Sequence, residues 1–383
     1  MTRGRSLALM AFGATLIAAL PDPAHALPTM IRLGYTNCAA CHVAPQGGGP
    51  LNDYGRGIDQ AQSLRGGEYQ PADDGLFRPI SLQGRIRQDV RLVMQQQGKW
   101  DGRSGAAALR ARVMYRAVAT VSNSVRFAGT VTGENESAAR PSLLYEPPAA
   151  ASHVFVNTAL LHYRASDRVE IAVGRDQLPT GINVPDLGAF IKARNRLGYY
   201  DAPTQLKVVW AGQRFQVAPF VYGSGGNEPR GEREHGAGSL AEFDLLGTQK
   251  TVLGVTFQHS SARNGDRRLI GGYARIGFGR WGILAEHDVT DRDRGENTQG
   301  AFRQHTSYAQ VFWAVRDWLV TSATGERLRV GVPYGENLTA GKIEIASRAT
   351  SHATVIVGAR VEHAANGRLS KSLMVQLSLK TVE

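Results

Sequence analysis

Cysteine is almost absent from this chain: two occur among 383 residues, which excludes a scaffold held together by disulfides. No run of 18 apolar residues follows the first 20 positions, so helices that cross a membrane are excluded, in keeping with a mean hydropathy of -0.25. Neither sign of charge is scarce, with 44 Lys+Arg against 33 Asp+Glu and a formal charge of +11, and 42% hydrophobic content is too high for a disordered chain. A membrane β-barrel survives all three exclusions. Its outward and inward residues alternate, so its average hydropathy resembles that of a soluble protein and only the period reveals it.

Arg3 and Arg5 precede an apolar stretch from Leu7 to Leu20, and Ala24-His25-Ala26 supplies the small-x-small pattern that a signal peptidase accepts. Residues 1–26 are therefore expected to be a cleaved export leader, too short in its apolar part to span a bilayer. Export makes nucleic acid an unsuitable partner for this basic chain.

Both cysteines fall in Cys38-Ala39-Ala40-Cys41-His42, the C-x-x-C-H pattern for covalent attachment of a c-type haem. Two thiols at this spacing can bond the two vinyl groups of one porphyrin, and the adjoining imidazole then meets the iron. The expectation is one c-type haem on Cys38 and Cys41, with His42 as the proximal iron ligand. A thioredoxin-like pair would need a βαβ setting, a plain disulfide leaves His42 without a role, and zinc would need two more ligands where none occurs between His42 and His153. The haem segment, residues 27–79, is too small to bury a haem well alone and is expected to borrow walls from the rest of the chain. Its distal ligand is open: Met30 reads better as a packing residue, and a His or Met from elsewhere, or water, remains.

From Ser81 onward the period is two. Leu82, Ile86, Val90 and Leu92 alternate with Gln83, Arg85, Arg87, Asp89 and Arg91. Leu109, Ala111, Val113, Tyr115, Ala117 and Ala119 share a face opposite Arg110, Arg112 and Arg116, and Leu369, Leu373, Val375, Leu377 and Leu379 alternate with Ser370, Ser372, Gln376, Ser378 and Lys380. Strands of this length suit a tilted membrane crossing.

Tight turns are expected near residues 122–123, 166–167, 212, 247–248, 279–280, 316–317 and 350–351. Long connections are expected around 95–106, 135–151, 176–202, 223–238, 260–267, 289–303, 325–339 and 363–368. Together they join sixteen strands, or fourteen if 238–246 is not one. The expected fold is all-β: a transmembrane antiparallel barrel over residues 80–383, with short periplasmic turns, long external loops and the haem segment in or at its lumen. Trp210 and Phe215, Phe278 and Trp281, and Trp313 and Trp318 flank the tight turns as an aromatic girdle would. A soluble periplasmic haem-binding β-protein is the competing reading, and the non-aromatic ending Thr381-Val382-Glu383 leans towards it.

Sixteen strands at about 4.8 Å, tilted about 40°, enclose a barrel of about 32 Å, and a compact unit of the haem segment's length measures about 25 Å. The arginines of the first two strands would form a basic patch on the inner wall, suited to haem propionates or simply to wetting a polar lumen. His259, His287 and His363 face outward by parity, and no ligand role falls to His153, His162 or His305. Asp288, Asp291, Asp293 and Glu296 read as solvated acids of an outer loop. Gly223-Ser224-Gly225-Gly226 precedes no helical pattern and reads as a loop, and no hydrolytic triad or phosphate loop is present.

The layout of leader, single haem motif and single-chain barrel resembles the fused monohaem cytochrome-porin family, best known from outer-membrane iron(II) oxidases. In sequence the resemblance rests on Gly34-Tyr35-Thr36-Asn37-Cys38-Ala39-Ala40-Cys41-His42, Pro45, Leu51 and Gly55-Arg56, and Gly47-Gly48-Gly49 departs from the family pattern. It implies a protein of the Gram-negative outer membrane, embedded in its lipid, that passes electrons from an extracellular donor such as Fe(II) to a periplasmic c-type cytochrome. A transport porin with a haem-containing plug is the alternative.

Overall fold

The fold comes from a computed structural model. It describes residues 86–380 apart from 102–104, 136–152, 185, 187, 226–229, 249, 294–299, 332–336 and 349–351. Sixteen strands form one closed antiparallel barrel in sequence order: β1 (Ile86–Trp100), β2 (Gly105–Thr120), β3 (Val125–Glu134), β4 (Val154–Arg164), β5 (Val169–Arg175), β6 (Thr204–Ala211), β7 (Phe215–Gly223) and β8 (His235–Asp244), then β9 (Thr251–Ala262), β10 (Gly265–Phe278), β11 (Trp281–Arg292), β12 (Phe302–Arg316), β13 (Leu319–Val330), β14 (Asn337–Arg348), β15 (Ala353–Ala364) and β16 (Leu369–Lys380). Closure comes from β1 pairing β16 over Arg91↔Lys380 to Trp100↔Lys371, so neither strand leaves an unpaired edge. The segment 238–246 lies largely in β8, and the higher of the two expected counts holds.

Alternation decides which way each side chain faces. Along β11, Ile283, Ala285, His287 and Val289 are more exposed than Leu284, Glu286, Asp288 and Thr290, which are buried on the inner wall. The same rule turns Val90, Val113, Phe127, Leu253, Ile270 and Val357 outward. A soluble barrel would keep such side chains inside. This one wraps an apolar outer surface around a polar interior, an arrangement suited to lipid outside.

Six of the expected tight turns sit between strands at one end, here named the turn end, and the seventh, 350–351, lies outside the described residues. Trp210 and Phe215 meet edge to face at 4.9 Å there, and Trp281 stacks on Trp313 at 5.4 Å, forming part of the aromatic ring. Two of the expected long connections are corrected. β1 and β2 remain paired as far as Trp100↔Gly105, and β9 and β10 as far as Ala262↔Gly265, so four residues and two residues connect them. Pro219 offers no amide hydrogen, and the β6–β7 ladder breaks beside it, between Lys207↔Phe220 and Trp210↔Val217.

Candidate functional site: the lumen and its inward loop

Residues 176–203, between β5 and β6, fold into the barrel rather than away from it. Ile182, Val184, Ala189 and Ile191 pack with Leu240, Leu284, Tyr308, Phe312 and other inner-wall residues in one buried cluster. A short helix, α1 (Phe190–Ala193), rests on β11, β12 and β13. Four residues cannot sustain a helix in water, so this turn exists because the wall holds it.

The loop's main-chain and side-chain polar groups are matched by the wall. The Ile182 amide donates to Glu286 Oε2 at 2.6 Å and the Phe190 amide to Glu326 Oε2 at 2.6 Å, while the Gly181 amide donates to Thr256 Oγ1 at 2.9 Å. Asn195, fully buried, donates through Nδ2 to Asp288 Oδ2 at 2.7 Å and Thr306 Oγ1 at 2.9 Å, and accepts from Gln304 Nε2 at 2.8 Å and Thr290 Oγ1 at 3.2 Å. Asp288 is thus an inner-wall residue holding the loop, which corrects its reading as an external acid. Asp291 does face outward, paired to Arg303 at 2.6 Å. At Gly181 the backbone is left-handed, with φ +54°, and a Cβ would come within 1.9 Å of Glu286 Oε1.

Ion pairs fasten the start of the loop and a point along it. Asp186 pairs with Lys342, and Lys207 of β6, 0% exposed, reaches Asp176 at 2.9 Å. Burial alone would raise the Asp186 carboxyl, but the Lys342 ammonium beside it, the Gly188 amide and Arg360 together outweigh that and hold it below the ordinary carboxylate value. At the barrel end opposite the turns, burial raises the Glu234 carboxyl, but Arg267, at 2.5 Å, and Arg292, at 3.5 Å, depress it below its ordinary value. Burial pushes the Tyr200 phenol up to about 12, keeping it a neutral donor to Glu134 Oε2 at 2.7 Å.

The inner wall of the first two strands is basic, as expected. Arg91 donates to Ser378 at 3.3 Å, Arg116 pairs with Asp89 at 2.6 Å, and Arg112 joins Glu134 and Tyr200. Of the histidines, His259, His287 and His363 face outward, as parity indicated, and so do His235 and His305. His162 faces inward and is 1% exposed. Cys38, Cys41 and His42 lie outside the described residues, as do the leader, Met30 and Glu296.

No protein-family model matches the chain, and no curated protein matches it. Solved structures do. The chain resembles OmpT, an outer-membrane protein of Vibrio cholerae, with a TM-score of 0.55 at 10% identity over 79% of this chain and 99% of that one. Its fold is that of the outer-membrane porins. An anion-selective porin from Comamonas acidovorans gives 0.56 at 9% identity over 77% and 99%, and Pseudomonas putida OprB gives 0.57 at 8% over 77% and 94%. At such identities the likeness establishes the fold and nothing finer.

Whether a haem suits this chain is judged from donor chemistry. Two thiols and an imidazole in the C-x-x-C-H spacing are the full set for covalent attachment and one axial bond. The barrel adds guanidiniums on its inner wall, suited to propionates, and one buried imidazole nitrogen, His162 Nε2, that bonds to nothing. The residues fit the group.

Proposed function

We propose that this protein lies in the outer membrane and carries one covalent c-type haem, through which electrons pass between an extracellular donor, Fe(II) among the candidates, and a soluble periplasmic c-type cytochrome. One observation carries the reading: a haem-attachment motif stands behind an export leader in a chain whose residues 86–380 make a porin barrel. Cys38 and Cys41 hold the porphyrin and His42 ligates the iron. When bound, the haem supplies a one-electron Fe(III)/Fe(II) couple. The barrel's part is to provide a closed wall through an apolar belt about 25 Å tall, which insulates donor from acceptor unless redox chemistry is housed within it. The inner-wall arginines counter negative charge there, and the docked loop narrows the passage.

That loop also favours a second reading, a solute porin whose lumen is constricted by residues 176–203. The two separate in intact cells examined anaerobically before and after Fe(II) is added, beside a Cys38→Ala/Cys41→Ala control. The conduit reading expects a reduced haem spectrum that needs both cysteines and is absent from periplasmic extract. Covalent haem that ignores Fe(II) removes iron from the candidates, and solute flux without any haem spectrum favours the porin.

A further inference from the structure

The lipid-facing side of the barrel is not uniformly apolar. Among the described residues, the outward positions of β2 to β7 carry one charged side chain, Arg175, which is bonded to the Gly225 carbonyl at 2.6 Å. The sector from β10 to β13 differs. Arg268, Arg303, Arg327 and Arg329 all face outward there, exposed, near the ends of their strands away from the turns. Register gathers them: Arg268 and Arg303 flank Asp291, Arg329 stands opposite His305, and Arg327 stands opposite Ser307. Arg303 is held by Asp291 at 2.6 and 3.0 Å, whereas Arg327 and Arg329 enter no ion pair among the described residues.

Height and charge together narrow what covers this patch. Arg327 and Arg329 stand eight and ten residues beyond Leu319, where β13 leaves its turn. At about 3.3 Å per residue and a tilt of about 40°, they lie roughly 20 and 25 Å above the turn end, at the upper edge of an apolar belt about 25 Å tall. Beneath them Val311, Ile343 and Ile345 are exposed. The cations therefore sit at headgroup depth, with their stems against apolar wall. A second copy of this chain has little to offer them: among the described residues the outward strand positions bear two acids, Asp266 and Asp291, both in this same sector. Lipid phosphates supply the missing charge, and a guanidinium binds phosphate through paired hydrogen bonds. The loop end of an outer-membrane barrel faces the outer leaflet, whose own phosphorylated lipid is a glycolipid with several acyl chains.

We propose that the outward surface of β12 and β13 binds the phosphates of an outer-leaflet glycolipid, with Arg327 and Arg329 as the phosphate-binding pair. Ser307, whose hydroxyl lies 2.8 Å from His287 Nδ1, and His305 stand across from the two arginines and supply further hydrogen-bonding groups. The acyl chains lie along the apolar wall below. The inference needs the barrel in the outer membrane and draws nothing from the haem.

The test is native mass spectrometry of the full-length protein in a mild detergent, with heat-modifiable gel mobility confirming a folded barrel in every variant. The probes are bisphosphorylated lipid A, its phosphate-free counterpart and phosphatidylglycerol. Wild type is expected to retain lipid A, to ignore the phosphate-free form, and to bind phosphatidylglycerol about tenfold more weakly or worse. Arg327→Gln/Arg329→Gln is expected to weaken lipid A binding by roughly tenfold or more. Arg327→Lys/Arg329→Lys keeps the charge without the paired bonds and should fall between the two. Lys371→Gln removes another outward cation at the loop end, on β16, and should change nothing. Undiminished binding in the double Gln variant, or an equal loss in Lys371→Gln, would overturn the assignment. Equal binding of phosphatidylglycerol would reduce the patch to a general anionic-lipid surface, and displacement of lipid A by millimolar inorganic phosphate would make it a free-phosphate site. A wild type that takes no lipid A and self-associates, with the association lost in the double Gln variant, would assign the face to a second copy instead.

Discussion

Asn195→Ala is the sharpest test of how the inward loop is held. The Asn195 amide is the meeting point of two wall strands: it bonds Asp288 and Thr290 of β11 and Gln304 and Thr306 of β12. A hydrogen bond to a carboxylate contributes about 1.5–3 kcal/mol and a neutral one about 0.5–1.5. Thr290 can turn to another acceptor and Thr306, which only accepts from Asn195, keeps Asp288 as its own acceptor, whereas Asp288 and Gln304 lose a buried partner, so the cost of removal is about 3 kcal/mol of loop docking. At about 1.4 kcal/mol per tenfold, that is roughly a hundredfold rise in the undocked population.

Amide hydrogen exchange followed by mass spectrometry reads that population locally. Peptides covering residues 189–198 should exchange about a hundredfold faster in the variant, while peptides from β15 and β16 should not change. Asn195→Asp offers a control of nearly equal size: it places a carboxylate against Asp288 where a donor stood, and should release the loop at least as strongly. Exchange within about threefold of wild type in both variants would show that the Asn195 bonds do not hold the loop.

Three further outcomes follow from the same contacts. Gly181→Ala puts a methyl group against Glu286 at a left-handed backbone position, and should undock residues 178–184 by about 2 kcal/mol, read by the same exchange measurement. Lys207→Met leaves Asp176 buried without its cation and should cost about 3–5 kcal/mol, seen as a lower temperature of heat-induced mobility shift. Acid should act on Asp186, whose carboxyl is held below its ordinary value of 3.8: its contribution to docking is present above that value and is lost as pH falls through the depressed one, so the difference in loop protection between wild type and Asp186→Asn, with intrinsic exchange divided out, should be flat from pH 8 to about 4. Lys342→Met should reverse the slope, because burial then raises the carboxyl and the docked loop favours the neutral acid, strengthening as pH falls.

The barrel was legible because lipid and lumen impose opposite demands on successive residues. Leu109 to Ala119 could be assigned a face from parity alone, and the turns at 166–167 and 279–280 stand where alternation stops. Parity fails outside the apolar belt, where both faces are wet: Gln95-Gln96-Gln97 looked like a loop, yet the backbone goes on pairing with β2 through Gln97↔Ala108. The two-residue link Arg263-Asn264 was hidden in the same way. The inward loop was illegible for a different reason. Its docking is written in single polar residues far apart in sequence, such as Asn195 with Asp288 and Phe190 with Glu326, and no local period marks them. The one available signal was that Glu286 and Asp288 share the inward parity of β11, an expensive place for two acids without partners.

The inward loop also changes the arithmetic of the lumen. A unit of about 25 Å in a barrel of about 32 Å leaves little to spare even when the barrel holds nothing else. Glu286, Thr256, Glu326 and Lys342 anchor the loop five to seven residues above the turn ends of their strands, so mid-height is already occupied along β9 to β14. A haem segment held at one end of the barrel need not displace the loop, whereas a plug filling the whole lumen must. Loop release and haem attachment are then expected to be separable: Asn195→Ala should leave the haem spectrum of the full-length protein unchanged, and Cys38→Ala/Cys41→Ala should leave exchange in residues 189–198 unchanged. Coupling in either direction would place the two in contact and refute a haem held clear of the loop.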